Sequence, residues 1–209
     1  MKYNPRLNKK WSKDFAYIFG LLLGDGSLPI TKSKRMNGKY QIRYHIFFIS
    51  NSLEFIENVY VPLFQKIFGI FPWIQNIPNK NVYACRIESK EIYIFLKVMG
   101  FTTGRKAKIA KIPKGLPNKY KKYLLAGLLD TDGGKKGNGF GFTTASNNLA
   151  RFCINTFKEL AIPYNSCPWN YNDNIYHQIY VNKSKISALK KIPLRNKEKI
   201  SYINSLMPQ

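Results

Sequence analysis

The stretch Leu125-Ala126-Gly127-Leu128-Leu129-Asp130-Thr131-Asp132-Gly133 decides how this chain is read, because it occurs twice. Its echo, about half a chain length earlier, is Ile18-Phe19-Gly20-Leu21-Leu22-Leu23-Gly24-Asp25-Gly26. In each copy small residues stand four apart: Gly20 and Gly24, then Gly127 and Thr131. Residues at that spacing share one face of a helix. Side chains that small let two helix backbones approach closely. The flanking leucines are apolar enough for a core. Each expected helix stops at Asp-Gly, with glycine in its common terminating place.

Later features repeat in the same order. Phe47-Phe48-Ile49-Ser50-Asn51-Ser52-Leu53 is answered by Phe142-Thr143-Thr144-Ala145-Ser146-Asn147-Asn148-Leu149. Helical periodicity follows both, through Leu53, Ile56, Val59, Tyr60 and Leu63, then Leu149, Phe152, Cys153, Phe157 and Leu160. Asn51 and Asn147 stand where these helices begin, a place for capping side chains. Late in each half comes a Lys-x-Lys, Lys106-Ala107-Lys108 and Lys197-Glu198-Lys199. The chain therefore reads as a duplication, with halves 1–112 and 113–209 joined near Pro113 and Pro117. Pro117 suits the first turn of the next helix. Each half reads as helix, two strands, helix, two strands, helix, an α+β class. Half one has helices near 13–24, 52–68, 89–99 and 103–110, with strands within 40–50 and near 70–76 and 82–88. Half two has helices near 118–131, 147–161, 184–191 and 195–206, with strands near 139–145, 163–170 and 175–182.

Lys plus Arg is 34 and Asp plus Glu 11, a formal charge of +23 in 209 residues. With 44% hydrophobic and 15% aromatic residues the chain can bury a real core, which excludes global disorder. So large a positive excess points to a polyanionic partner, nucleic acid first and a membrane surface second. Cys85, Cys153 and Cys167 are widely spaced, without CxxC. That argues against a disulfide framework or zinc site and for a reducing compartment. The apolar run 15–23 after Lys9, Lys10 and Lys13 falls short of the ~20 residues that span a bilayer. It also lacks a small-x-small cleavage pattern, so the expected location is intracellular, without secretion.

The chain has five aspartates, Asp14, Asp25, Asp130, Asp132 and Asp173, three of them in the motifs. Asp130 and Asp132 point about 200° apart if both are helical, and motif one has Leu23 where motif two has Asp130. Symmetry thus selects Asp25 and Asp132. If the motif helices pack together, these two acids emerge side by side. Adjacent carboxylates repel, and are tolerated when cations lie between them. Hard oxygen donors favour Mg²⁺ or a similar ion. A basic protein with divalent ions at paired aspartates is equipped for phosphodiester hydrolysis. An EF-hand reading of 130–133 fails, because the later glycine and glutamate are absent.

These motifs resemble the LAGLIDADG homing endonucleases in their two-motif, single-chain form. Motif two departs from the family string at two of nine positions, and motif one keeps Gly20, Leu21 and Asp25-Gly26. The resemblance implies two pseudo-symmetric αββαββα halves, motif helices at the interface, and a saddle of antiparallel sheets over the DNA major groove. It implies Mg²⁺ at Asp25 and Asp132, one acid per scissile phosphate. It also implies a polar residue after the first long ribbon (Asn51, Asn147) and a late lysine (Lys106, Lys197) assisting water and phosphate. Lys135 competes for the basic role. The implied partner is double-stranded DNA with an asymmetric target, cut by a monomer that needs no protein partner. The rival reading is a non-cutting nucleic-acid binder of the same fold, an intron maturase or a DNA-binding regulator.

Candidate DNA contacts follow from strand patterning. Tyr40–Phe48 alternates, with Gln41, Arg43 and His45 on one face. Arg pairs with guanine and Gln with adenine in the major groove. Lys32, Lys34, Arg35 and Lys39 form a preceding ribbon tip suited to phosphates. Gln75, Arg86 and Gln178 on shorter strands, and Lys135 and Lys136 after motif two, complete the set.

Overall fold

A computed structural model describes residues 7, 10–78, 80–104, 106–172 and 174–207. Lys9 and Asp173, named above, lie outside the described residues. The two motif segments form α1 (Lys13–Asp25) and α6 (Lys121–Asp132), which pack on each other along their length. Between them the chain forms β1 (Gly26–Ser27), β2 (Ile30–Lys34), β3 (Tyr40–Ser50), α2 (Leu53–Phe55), α3 (Val61–Phe68), β4 (Trp73–Ile77), β5 (Val82–Glu88), α4 (Lys90–Val98) and α5 (Lys106–Ile109). After α6 come β6 (Gly134–Lys136), β7 (Gly139–Thr144), α7 (Asn147–Glu159), β8 (Asn165–Tyr171), β9 (Asn174–Asn182), a 3₁₀ segment (Lys183–Lys191) and α8 (Lys197–Ser205).

The small residues do what their spacing predicts. A Cβ on Gly20 would overlap the Leu124 carbonyl oxygen, and one on Gly127 the Tyr17 carbonyl oxygen. A Cβ on Gly24 would overlap the Thr131 hydroxyl. The helix ends correct the expectation for Gly26 and Gly133. Both are extended, with φ −89° and −72°, not left-handed. What requires glycine there is space: a Cβ would strike the backbone of Leu22 or Leu129. The left-handed cap occurs instead at Gly69 after α3, φ 73°.

Each half carries one antiparallel sheet, ordered β1-β3-β5-β4 with β2 also on β3, and β6-β7-β9-β8. The strands that leave the motif helices, β1 and β6, are thus the innermost, and β4 and β8 the outermost. Ile46, Phe48, Cys85, Ile87, Phe140, Phe142, Ile179 and Val181 face the helices and are buried. Their alternating neighbours form the open faces.

Strands β1, β2 and β6, all short, lie outside the strands expected from sequence. The periodicity over 52–68 predicts an unbroken helix. The structure instead places a π turn at Ile56–Tyr60, where the Val61 N–H donates to the Ile56 carbonyl. Pro62 lacks an N–H and would crowd the preceding turn of a regular helix, and the wider turn relieves this.

A charged clasp ties the halves together on α1. Asp14 is buried and accepts hydrogen bonds from Lys66 Nζ (2.7 Å) and from Arg195 Nη2 (2.8 Å) in the opposite half. Burial alone would raise the Asp14 pKa, but Lys66 and Arg195 hold it below the ordinary carboxylate value. A depressed folded-state pKa contributes stability above the unfolded value, and that stability is lost as pH falls through the folded value. Asp14→Asn should therefore lower stability at pH 7 by roughly 1–3 kcal/mol. Urea midpoints of the two proteins should converge below about pH 3. A difference that persists undiminished in acid would show that charge is not what Asp14 supplies.

Candidate functional site

Asp25 and Asp132 are the last residues of α1 and α6. Because the glycine-lined faces let the helices meet closely, the two acids lie near enough for the charge of Asp25 to act on Asp132, and Asp132 lines a groove at the helix ends. A Cβ on Gly24 would lie 3.4 Å from Asp132 Cγ. The groove is a cavity of about 450 Å³, whose lining includes Gly24 and Lys106 from one half and Asp132, Lys136, Thr144 and Tyr176 from the other. Both carboxylates reach solvent. Among the described residues neither has a hydrogen-bond or ion-pair partner.

The protein mass around Asp25 raises its pKa, against the pull of Lys106 and Lys199. For Asp132 the same desolvation and the negative charge of Asp25 push the value up to about 6, again against Lys106 and Lys199. Two unpartnered carboxylates that repel each other at the ends of the motif helices form a donor set of hard oxygens. Such a set fits Mg²⁺ or a similar divalent ion, which is held by one or two carboxylates and completed by waters and phosphate oxygens.

The third motif acid behaves differently. Asp130 is buried, accepts from Tyr17 Oη (2.5 Å) and the Arg195 N–H (2.7 Å), and holds the helix pair together from the side away from the groove. Desolvation pushes its pKa up to about 6, while those bonds oppose the rise.

Lys106 enters the groove. Its Nζ donates to the carbonyls of Leu22 (2.9 Å), Leu23 (3.0 Å), Gly24 (3.0 Å) and Gly26, so it caps the C-terminal end of α1. Cations at that end are favoured by the helix dipole. Burial lowers its pKa to about 8, although Asp132 and Asp25 favour the charged form. Lys197 does not take the matching place. It is exposed and bonds Glu54 Oε1 at 2.5 Å. Lys199 instead donates to the Gly133 carbonyl at 2.5 Å, capping α6 as Lys106 caps α1. Lysines two apart on a helix point in nearly opposite directions, so only one of that pair can face the motif. The Lys-x-Lys string alone cannot say which.

Asn51 and Asn147 are not the helix caps. Ser52 and Ser146 are, accepting from the N–H groups of Phe55 and Leu149. Asn51 is exposed, and Asn147 Oδ1 lies 2.6 Å from His177 Nε2. Neither lines the groove. The residues in matching places at the strand ends are Ser50 and Thr144, whose hydroxyls accept from the N–H groups of Ser52 and Ser146. Thr144 lines the groove. Lys136 also lines it, whereas Lys135 is exposed and pairs with Phe140, whose side faces the helices.

On the first sheet, Gln41, Arg43, Arg86 and Gln75 share the open face, joined by Trp73 and Glu88. Gln41 Oε1 accepts from Arg35 Nε (3.2 Å) and Arg43 Nη2 (3.4 Å), so the ribbon carries a linked Arg35-Gln41-Arg43 row. Lys32 and Lys34 pair with Ile42 and Tyr40 and project from the other side of the ribbon, and Lys39 lies in its exposed turn. His45 departs from the expected base-reading role. It is fully buried, with Nε2 at 2.9 Å from Thr31 Oγ1 and a pKa lowered by burial and then by Arg86. On the second sheet Gln178 lies on the open face, paired with Thr143 and Cys167.

No protein-family model and no curated protein sequence matches the chain. Solved structures do. I-DmoI in complex with DNA and Ca superposes with TM-score 0.65 at 18% identity, covering 92% of this chain and 97% of that one. A structure of mesophilic variants from the homing endonuclease I-DmoI gives 0.61 at 17% identity, over 86% of this chain and 94% of that one. The meganuclease I-SmaMI, bound to uncleaveable DNA with a TTGT central four, gives 0.59 at 14% identity, over 93% and 87%. No helix among the described residues is long and apolar enough to cross a membrane. The duplicated sheets, the close-packed motif helices and these superpositions establish that the chain has the fold of the LAGLIDADG homing endonucleases.

Proposed function

We propose that the protein is a site-specific, divalent-metal-dependent DNA endonuclease that cuts both strands of a long asymmetric target as a monomer. The observation that carries this reading is the pair Asp25 and Asp132, brought near each other at the ends of the packed motif helices and left without partners among the described residues. The solved structures of the same fold include proteins bound to DNA with Ca, Mn or Mg, which supports the choice of partner and ion class. The charge of +23 supports it independently.

In this mechanism each acid serves one strand. Asp25 and Asp132 would each help hold a divalent ion, which when bound would supply Lewis-acid chemistry at the scissile phosphates. Lys106 and Lys199 fix the carbonyl ends of the two motif helices and so hold the acids in place. Thr144 and Lys136 line the groove beside Asp132, where the hydroxyl and ammonium can orient water or phosphate. The two sheets, whose open faces carry different side chains, dock in the major groove on either side and read different half-sites.

The test is selection from a randomised duplex library, by cleavage in Mg²⁺ and by binding in Ca²⁺. One target of unrelated half-sites should be enriched under both conditions. Enrichment in Ca²⁺ with no cutting in Mg²⁺ or Mn²⁺ would favour the non-cutting binder.

Base and phosphate roles are separable on that target. Arg43→Ala should cost roughly 1–3 kcal/mol and relax preference at one or two adjacent base pairs. Lys34→Ala should weaken all sequences alike and flatten the salt dependence by about one unit of slope. The opposite pattern in the two base-preference profiles would reverse the assignment.

A further inference from the structure

The open faces of the two sheets differ in chemistry, not only in sequence. The first carries Arg43, Arg86 and Glu88 with Gln41 and Gln75. On the described part of the β8–β9 hairpin the open face holds no charged side chain. Between Asn165 and Tyr180 at one end and Asn174 at the other, it presents Cys167, Trp169, Tyr171, Tyr176 and Gln178. Tyr176 and Trp169 are cross-strand partners, with rings stacked at 5.6 Å and 20°, and Tyr171 meets Tyr176 edge-on at 6.4 Å. Trp169 and Tyr171 remain 41% and 61% exposed. This is a built aromatic surface left in solvent, where a hairpin under no other demand would carry polar groups. It is also continuous with the site, since Tyr176 lines the same groove as Asp132.

Resting on the endonuclease reading above, we infer that Trp169, Tyr171 and Tyr176 read thymine 5-methyl groups in the half-site beneath the second sheet. The major-groove edge of a base pair offers hydrogen-bonding groups and, at thymine alone among the four bases, a methyl group. A face without charge on its hairpin cannot make the bidentate arginine–guanine pairing available to the first sheet. A rigid stacked pair loses little conformational freedom on contact and buries a methyl group well. The two half-sites are then distinguished by chemistry: arginine and glutamate with glutamine on one side, and methyl reading beside Gln178 and Lys136 on the other.

The experiment changes the DNA and leaves the protein intact. Using the target obtained by library selection, thymines of one half-site at a time are replaced by deoxyuridine, which removes only the methyl group. Affinity is measured in Ca²⁺. Each contacted methyl beneath the second sheet should contribute about fourfold, the effect of one buried methylene-sized group. Deoxyuridine in the other half-site should leave affinity within about twofold. In Trp169→Ala the deoxyuridine penalty beneath the second sheet should shrink, while Trp169→Phe should retain most of it. A merely structural tryptophan would weaken binding to thymine and deoxyuridine targets equally.

Equal affinity for thymine and deoxyuridine targets in wild type, with specific binding intact, overturns the inference and leaves the endonuclease reading standing. Failure to select any duplex overturns both.

Discussion

Asp25→Asn and Asp132→Asn should each abolish double-strand cleavage while leaving the protein bound to its target. On the proposed reading each carboxylate is the anionic metal donor of its half, and the amide that replaces it would hold a hard cation poorly. Metal ions contribute several kcal/mol to such reactions, so cutting of the dependent strand should slow by roughly a thousandfold or more. Affinity in Ca²⁺-free buffer should hold or rise, because a negative charge is removed from a groove that receives phosphates. Strand-resolved gels and binding titrations on the same duplex check both halves of this expectation. Wild-type cutting by either variant would remove that acid from the mechanism.

The second large effect is on folding. Gly127→Val should destabilise the protein by more than ~3 kcal/mol. Its Cβ would overlap the Tyr17 carbonyl oxygen and come within 2.7 Å of the Leu21 nitrogen, which are backbone atoms that cannot rotate away. Separating α1 from α6 also uncovers core side chains of both halves, among them Tyr17, Leu21, Leu124 and Leu128. Gly134→Ala is the control, since nothing lies within 4 Å of its Cβ position; it should change stability by no more than about 0.5 kcal/mol. Urea midpoints measured side by side decide the matter. If the two variants unfold alike, the motif glycines are not what joins the halves.

These two positions show what was legible in the sequence. The helix pair could be read because it depends on local spacing, small residues four apart in an apolar run, repeated at half-chain distance. Symmetry sets Asp130 apart from Asp25 and Asp132, and the structure gives Asp130 a task of its own, bonding Tyr17 and the Arg195 N–H. The first ribbon was half legible. Its long strand alternates, but Ile30–Lys34 is exposed throughout and follows Leu28-Pro29, so it carries no burial pattern to find. The three-residue β6 is likewise too short for periodicity.

What could not be read depends on distant partners. Lys197 and Lys199 are equivalent in the string and are separated only by helix phase and by Glu54 in the other half. Buried Asp14 keeps its charge through Lys66 and through Arg195, far along the chain. His45 alternates correctly with Arg43, yet Thr31 and its strand neighbours cover it. The aromatic face of the second sheet required knowing which side of β9 the core occupies, and Ile179 and Val181 settle that only in three dimensions.

On the proposed function, the two acids at the ends of the motif helices cut both strands at one place. Sequencing both 5′ ends of the products from the selected target tests it most directly. With the sheets docked in the major groove as proposed, acids between them would face the minor groove, roughly 6 Å wide. The phosphates nearest each other across that groove are offset in the 3′ direction. One cut per strand at a fixed offset, leaving short 3′ overhangs, is the result this arrangement predicts. Scattered nicks, blunt ends or 5′ overhangs would contradict it.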